Sequence, residues 1–192
     1  MSQNTHTNSS NAKSRGFTLI ELVIVIVVLG ILAATAVPKF INLRADSKAA
    51  TLEAVKGTME SAMQLVYAKA AIEGKTTGKA EITINGTKVP IYNGYPTLTI
   101  NRQTNLKIIN EQLQAWLEID SVTAAVAYKD NKAAPFYVSK DSYNGILYIM
   151  FSSDRDSMGV RFKCQVNYTN KIPDDPTKPI VPVSIAVLTN EC

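Results

Sequence analysis

Residues 16–37 carry the sequence GFTLIELVIVIVVLGILAATAV, an apolar run that contains a single charged residue, Glu21. From Phe17 to Val37 the run would extend roughly 32 Å as an α-helix, about the thickness of a bilayer's hydrocarbon core. A helix is favoured despite the many β-branched residues, because lipid offers no partners to backbone N–H and C=O groups. The run therefore predicts a membrane-spanning helix.

Placing the charged side chain of Glu21 inside such a span costs free energy, and this makes Glu21 a candidate functional residue. The run contains no cationic side chain that could compensate it. Glu21 therefore needs a cationic partner from outside the run. The alternative is that Glu21 snorkels to the membrane interface.

Residues 1–16 are polar, contain no acidic residue and include Lys13 and Arg15. This composition cannot bury a core, and it predicts a disordered leader. Two other interpretations of the N-terminal segment remain open. One is a secretory signal peptide cut at Ala34-Thr35-Ala36, although the apolar run is long for that role. The other is a plain membrane anchor on a soluble domain.

Pro38 either ends the apolar helix or kinks it. Beyond it, apolar residues recur at steps of three and four, which is the period of an amphipathic helix and favours a kink. The repeating positions are Leu52, Val55, Met59, Ala62, Met63, Val66 and Ala70. The helix is therefore predicted to run from Phe17 to about Glu73, with Gly74 as its C-cap and bending at Gly30 and Pro38.

After Gly74 the pattern changes to short strands. Asn85-Gly86 between two alternating segments predicts a β-hairpin with a type I′ turn. A short amphipathic helix is predicted over residues 104–119, with Thr104 as a possible cap. The predicted later strands are Val122–Tyr128, Phe136–Val138, Ile146–Phe151, Val160–Val166 and Val181–Leu188. The fold class is α+β, with a long N-terminal α-helix packed on an antiparallel β-sheet head.

Composition excludes several classes of active site. The chain has 192 residues, a net charge of +4 and no block of like charges, so no nucleic-acid-binding face is indicated. One histidine, His6, and two cysteines cannot build an ordinary zinc site, or a catalytic triad outside the leader. Asp154-Arg155-Asp156 and Asp174-Asp175 offer few oxygens for calcium, and solvated turns are the simpler interpretation. No enzyme activity, metal or cofactor is predicted.

The segment from Lys13 to Glu21 resembles the prepilin signature of the type IV pilin and pseudopilin superfamily. The resemblance implies that a prepilin peptidase cuts after Gly16 and N-methylates Phe17, and that Glu21 is the acidic fifth residue of the mature chain. The cut would create a charged amine on Phe17, and in a staggered array of helices the amine of one chain would lie against Glu21 of the next. Such a pair compensates two buried charges and fixes the axial register. It also implies a subunit of a surface fibre (a pilus or fimbrium) that serves adhesion, motility or DNA uptake. The implied partners are copies of the same chain, the prepilin peptidase and methyltransferase, the pilus assembly machinery, the inner membrane before assembly, and a host or abiotic surface.

The two cysteines, Cys164 and Cys192, bracket the end of the chain. They look like a disulfide loop formed in an oxidising compartment, and type IV pilins similarly carry a C-terminal disulfide loop. Two unrelated free thiols are the alternative.

The resemblance divides the chain into a cleaved leader (1–16), a hydrophobic transmembrane and polymerisation helix (17–38), an amphipathic continuation (39–74) and a β-rich head (75–192). Within the family, residues 38–43 and the later Gly94-Tyr95-Pro96 are similar to mannose-sensitive haemagglutinin pilins. A pseudopilin of the type II secretion system is the main alternative, because it shares the helix and the signature. A membrane-anchored extracytoplasmic binding protein or enzyme is the third.

Overall fold

The computed structural model describes residues 17–98, 105–157, 161–173 and 179–192. The chain divides into two units between Leu43 and Arg44. The helices are α1 (Leu19–Ile72), α2 (Leu106–Leu117) and α3 (Ala124–Lys129). The strands are β1 (Lys79–Ile84), β2 (Thr87–Tyr92), β3 (Tyr95–Pro96), β4 (Ser121–Thr123), β5 (Phe136–Asp141), β6 (Ile146–Phe151), β7 (Gln165–Thr169) and β8 (Ser184–Leu188).

The end of α1 confirms the predicted helix stop. The helix ends at Ile72, and Gly74 has a left-handed φ of 68°. The backbone N–H of Gly74 donates to the carbonyl of Ala71 at 3.1 Å, and that of Lys75 donates to the carbonyl of Ala70 at 2.8 Å. These bonds satisfy carbonyls that the last helical turn leaves unpaired, and glycine adopts the required φ without a Cβ penalty.

The core of the second unit lies on one face of α1. All of the predicted amphipathic positions face it, which confirms the helical period. Leu52, Met59, Ala62, Val66 and Ala70 are buried, while Val55 and Met63 are partly buried and pack against the same cluster. Across from them lie Leu113 of α2 and Ile149 of β6, both almost fully buried.

Strands β1 and β2 form the predicted hairpin. Asn85 and Gly86 at its tip have φ values of 47° and 78°, the two positive angles that a type I′ turn requires. Ile82 and Val89 are directly opposite each other and are both buried, so the hairpin presents one face to the core. Strand β3 extends this sheet in the order β1-β2-β3, with antiparallel pairing.

The second sheet has the strand order β4-β5-β6-β7-β8. Strand β4 pairs with β5 in parallel, and the other neighbours are antiparallel. The prediction of a strand over Val122–Tyr128 is wrong beyond Thr123, because the alanine-rich Ala124–Lys129 forms α3. Strand β7 begins at Gln165, later than predicted, and β8 begins at Ser184. Val160 lies outside the described residues.

Helix α2 carries its own caps. Asn105 has extended backbone angles, and its Oδ1 accepts a hydrogen bond from the backbone N–H of Lys107 at 2.9 Å. Glu118 closes the other end with a left-handed φ of 55°. The predicted cap Thr104 lies outside the described residues. The helix buries Leu113 and Trp116 against the core, as its amphipathic pattern predicts.

Asn170 joins the two sheets. Its Nδ2 donates to the carbonyl oxygens of Tyr92, Tyr95 and Pro96 at 3.3, 3.1 and 2.8 Å. The hydroxyl of Tyr168 also donates to the carbonyl of Pro96. Asn170 is 3% exposed, so these bonds satisfy the donors of its buried side-chain amide.

Candidate functional site

The segment Leu19–Val37 of α1 is the candidate site of membrane insertion and assembly. Its mean hydropathy is 2.8, and all of its residues except the half-buried Ala36 are exposed. Within the described part of the chain, it is the one helical segment long and apolar enough to cross a membrane. Such a surface is stable only when lipid or other apolar helices cover it.

Thr18 and Glu21 form a capping box at the start of this segment. The backbone N–H and the hydroxyl of Thr18 donate to Oε2 of Glu21 at 2.8 and 2.7 Å. In return, the backbone N–H of Glu21 donates to the Thr18 hydroxyl at 3.3 Å. The carboxylate thus lies in the first turn of α1, where it faces the positive end of the helix dipole.

Sequence reasoning identified Glu21 but missed its partner Thr18. The signal is in the sequence, because a threonine followed three residues later by glutamate before an apolar run is a capping-box pattern. The box uses one carboxylate oxygen. The other, Oε1, accepts no hydrogen bond from the residues that the structure describes. It therefore remains available to a donor from outside the chain.

The other predicted residues of the N-terminal site lie along the same segment. The Phe17 side chain is 87% exposed, and Gly16 lies outside the described residues. Gly30 and Pro38 both fall inside α1. A Cβ at Gly30 would meet no atom within 4 Å, so packing within the chain does not require glycine there. Bending at these two residues stays a prediction.

The predicted disulfide is present. Cys164 and Cys192 are bonded, with their Cα atoms 4.8 Å apart, and Cys164 is fully buried. Two hydrogen bonds reinforce the closure. The backbone N–H of Glu191 donates to the Lys163 carbonyl at 3.1 Å, and the backbone N–H of Lys163 donates to Glu191 Oε2 at 2.7 Å.

The acidic residues that could offer oxygens to calcium have other surroundings. Asp154 forms an ion pair with Lys48, which occupies one of its oxygens. Asp174 and Asp175 lie outside the described residues. Among the residues that the structure describes, no group of three or more His, Cys, Asp or Glu side chains comes close enough together to hold a metal ion.

Comparison with known proteins gives a consistent set of relatives. The family model of the prokaryotic N-terminal methylation motif matches residues 11–37. The chain is 44% identical over 63 residues to the type IV narrow pilus major component PilA5 of Thermus thermophilus, a match covering 33% of this chain and 51% of that protein. It is 36% identical over 75 residues to the type IV major fimbrial protein FimA of Dichelobacter nodosus, covering 39% and 46%. No solved structure matches.

These two matches span about half the length of each relative, and a third match extends further. The type IV major pilin protein PilE of Neisseria gonorrhoeae is 31% identical over 114 residues, which cover 55% of this chain and 68% of PilE. The match therefore reaches beyond the apolar helix and into the second unit. With the methylation motif, the capping box at Glu21 and the C-terminal disulfide, it establishes that the chain belongs to the type IV pilin family.

Proposed function

We propose that this chain is a structural, non-enzymatic subunit of a type IV pilus, held in the membrane as a precursor and polymerised through α1. One observation carries the proposal. The apolar segment Leu19–Val37 contains no buried residue and starts at a capping box inside the methylation motif. A segment of this kind requires lipid around it in the precursor and other helices around it in a fibre.

Processing precedes assembly. The prepilin peptidase and methyltransferase removes residues 1–16 by cutting between Gly16 and Phe17, and it methylates the new amine on Phe17. The match of the methylation motif to residues 11–37 supports this step. A methylated amine keeps its positive charge, because a secondary amine is still basic.

Glu21 then sets the register between subunits. The Phe17 amine of one subunit pairs with Oε1 of Glu21 in its neighbour, while Oε2 stays in the capping box with Thr18. In a fibre core from which water is excluded, either charge alone would be strongly unfavourable. The pair therefore favours one axial offset over all others.

The apolar helix and the folded head have different locations along the route from membrane to fibre. The precursor lies in the inner membrane through residues 17–38, and the assembly machinery moves it into the fibre, where α1 bends near Gly30 and Pro38. The head, residues 75–192, faces outward and contacts a host or abiotic surface. The disulfide between Cys164 and Cys192 supports an oxidising location for this part of the chain.

The same disulfide favours a pilin over a pseudopilin of a secretion system. The resemblance links the major pseudopilins to a calcium site in place of a C-terminal disulfide. Among the described residues there is no cluster of metal ligands. The presence of the bonded pair, and not the lack of a cluster, is the reason for the preference.

The test is intact-mass analysis and N-terminal sequencing of protein sheared from the cell surface, beside protein from the membrane fraction. The expected surface species starts at methylated Phe17 and is lighter than the reduced chain by the two hydrogen atoms of one disulfide. A surface species that starts at Val37 would instead indicate cleavage by signal peptidase. A chain found only in the membrane, with residues 1–16 intact, would indicate an anchored protein.

A further inference from the structure

A groove of about 310 Å³ opens in the head beside the first residue of β5. Val55 of α1, Leu117 and Phe136 line it with apolar side chains. Glu118 and Asp120 line it as well, and both are exposed. Within the described residues neither carboxylate forms an ion pair. This groove, which we call the socket, therefore suits an apolar group that carries a positive charge.

An aromatic ring and a cation lie together at the turn that joins β5 to β6. Tyr143 is 68% exposed, and Nζ of Lys171 lies 5.0 Å from the centroid of the Tyr143 ring. At that distance the ammonium group is attracted to the face of the ring. We call this pair of side chains the knob. Tyrosine is a frequent anchor of contacts between proteins, because its rigid ring covers a large area at a low cost in conformational entropy.

The turn holds the knob in one conformation. Oδ1 of Asp141 accepts hydrogen bonds from the backbone N–H groups of Tyr143 and Asn144 at 2.9 and 3.0 Å, and Oδ2 accepts one from Nδ2 of Asn144 at 2.6 Å. Lys171 lies close against the same turn, since a Cβ added to Gly145 would be 3.0 Å from the Lys171 Cα. A knob that is fixed before docking loses little conformational entropy when it docks.

The socket and the knob lie at opposite ends of β5. The strand begins at Phe136, which lines the socket, and ends at Asp141, two residues before Tyr143. The extended strand separates its two ends by roughly 17 Å. A contact between two different patches is heterologous, and its repetition generates an open helical filament unless it closes into a ring. All copies in such a filament point the same way, which agrees with the parallel, staggered helices of the proposed function.

We propose that the knob of one copy docks in the socket of a neighbouring copy, with the Tyr143 ring between the apolar walls and Lys171 against Glu118 and Asp120. The inference rests on the proposed polymerisation and specifies a contact between heads, apart from the contacts of the apolar helix. Two observations carry it. The charges of the knob and the socket are complementary, and their positions at the two ends of one strand allow the contact to repeat from copy to copy.

Photo-cross-linking identifies what lies against the knob. Benzoylphenylalanine replaces Tyr143 in the full chain, and this variant is expressed as a minority beside the natural chain so that filaments still form. After irradiation of sheared filaments, we expect a covalent dimer in which residue 143 is joined to a tryptic peptide of the socket, residues 49–56, 108–129 or 133–140. The matched control is the same replacement of Tyr128, a tyrosine of α3 that is 72% exposed, where this dimer should be several-fold weaker.

The outcomes separate this inference from the proposed function. If filaments form but residue 143 cross-links to other peptides, to another protein or to nothing, the contact between knob and socket is overturned and the pilus subunit stands. An equally strong dimer from residue 128 would also overturn the contact, because it would indicate collision without docking. If the natural chain forms no filaments, the proposed function fails, and the contact between heads fails with it.

A charge exchange tests the ionic part of the contact independently. Lys171→Glu and Asp120→Lys should each lower the yield of sheared filaments several-fold at an unchanged membrane pool, and the double variant should recover most of the loss. Lys129→Glu reverses an exposed cation that belongs to neither the knob nor the socket, and it should leave the yield unchanged. A double variant no better than the worse single variant would overturn the pairing of Lys171 with Asp120.

Discussion

Lys48 of α1 forms an ion pair with Asp154, which lies in the 3-10 helix Ser152–Ser157 directly after β6. Both side chains are mostly buried, and the Lys48 Nζ also lies 5.6 Å from the centroid of the Phe151 ring. The second oxygen of Asp154, Oδ2, is buried and has no hydrogen-bond partner among the residues that the structure describes. The negative charge of the Asp154 carboxylate is therefore compensated by Lys48.

Removing the lysine should destabilise the second unit strongly. Lys48→Met leaves a buried carboxylate uncompensated, and we expect the free energy of unfolding to fall by about 3 kcal/mol in denaturant titrations. The double variant Lys48→Met with Asp154→Leu should lose much less, because it removes both charges. Equal losses in the single and double variants would mean that the pair contributes packing and not charge compensation.

The contributions of Thr18 and Glu21 to assembly can be distinguished by substitution. Glu21→Gln can still complete the capping box, so it should insert and be cleaved normally but assemble at least about tenfold less fibre, because the register charge is gone. Thr18→Ala removes the cap and keeps the charge, and it should reduce assembly less. Sheared-fibre yield against membrane pool is the measurement. Normal fibres from Glu21→Gln would contradict the register role.

Gly94 lies directly beneath an aromatic stack. Tyr67 of α1 and Tyr95 of β3 are stacked with ring centroids 5.0 Å apart, and a Cβ on Gly94 would lie 2.7 Å from the Tyr67 ring. Its φ of 84° is also unfavourable for alanine. Gly94→Ala should therefore lower the free energy of unfolding by about 2–3 kcal/mol. In a Tyr67→Ala background only the backbone strain remains, and the cost should fall to about 1 kcal/mol.

The disulfide closes a loop with a sequence separation of 28 residues. The chain-entropy model gives about 3.5 kcal/mol for a loop of this size. We expect the double variant Cys164→Ala with Cys192→Ala to lose about that much in unfolding free energy, and reduction of the natural chain to have a similar effect. An unchanged denaturation midpoint after reduction would show that the hydrogen bonds between Lys163 and Glu191 are sufficient.

Two buried tyrosines predict a loss of stability in alkali. Burial, and then the charge of Asp154, raises the pKa of Tyr137 to about 12, and burial raises the pKa of Tyr168 further. An unfolded tyrosine titrates near 10. The contribution of these two neutral tyrosines to the free energy of unfolding is therefore complete below about pH 10. It is lost as the pH rises through their pKa values in the folded protein. Tyr137→Phe should make the fall between pH 10 and 12 shallower, as measured by denaturant midpoints. An unchanged slope would contradict this assignment.

Features that depend on neighbouring residues could be predicted from the sequence. The turn at Asn85-Gly86 follows from the positive φ angles that these residues tolerate, and the stop near Gly74 follows in the same way. The buried face of α1 follows from its period, as Leu52 and Met59 confirm. The disulfide followed from the resemblance together with an even number of cysteines.

Features that depend on contacts between residues far apart in the sequence could not be predicted. Strand β4 pairs in parallel with β5, and the sequence before α3 gives no local sign of that pairing. The predicted strand Val160–Val166 begins before β7 and ends three residues before it does, because the polar Asn167 and Thr169 give no local sign that they pair with β6 and β8. For the candidate site, the capping box of Thr18 and Glu21 is a local pattern and could be detected in the sequence.

Thr169 and Ser184 face each other across β7 and β8, so the chain leaves the sheet and returns to it at a fixed pair of residues. Asn170 anchors the departing end through its bonds to the first sheet. The entropic cost of lengthening a closed loop rises slowly, by about 0.6 kcal/mol for each doubling. Sequence inserted after Pro173 would therefore lower the free energy of unfolding very little. A peptide added between Thr169 and Ser184 would leave the pairing of β7 with β8 in place.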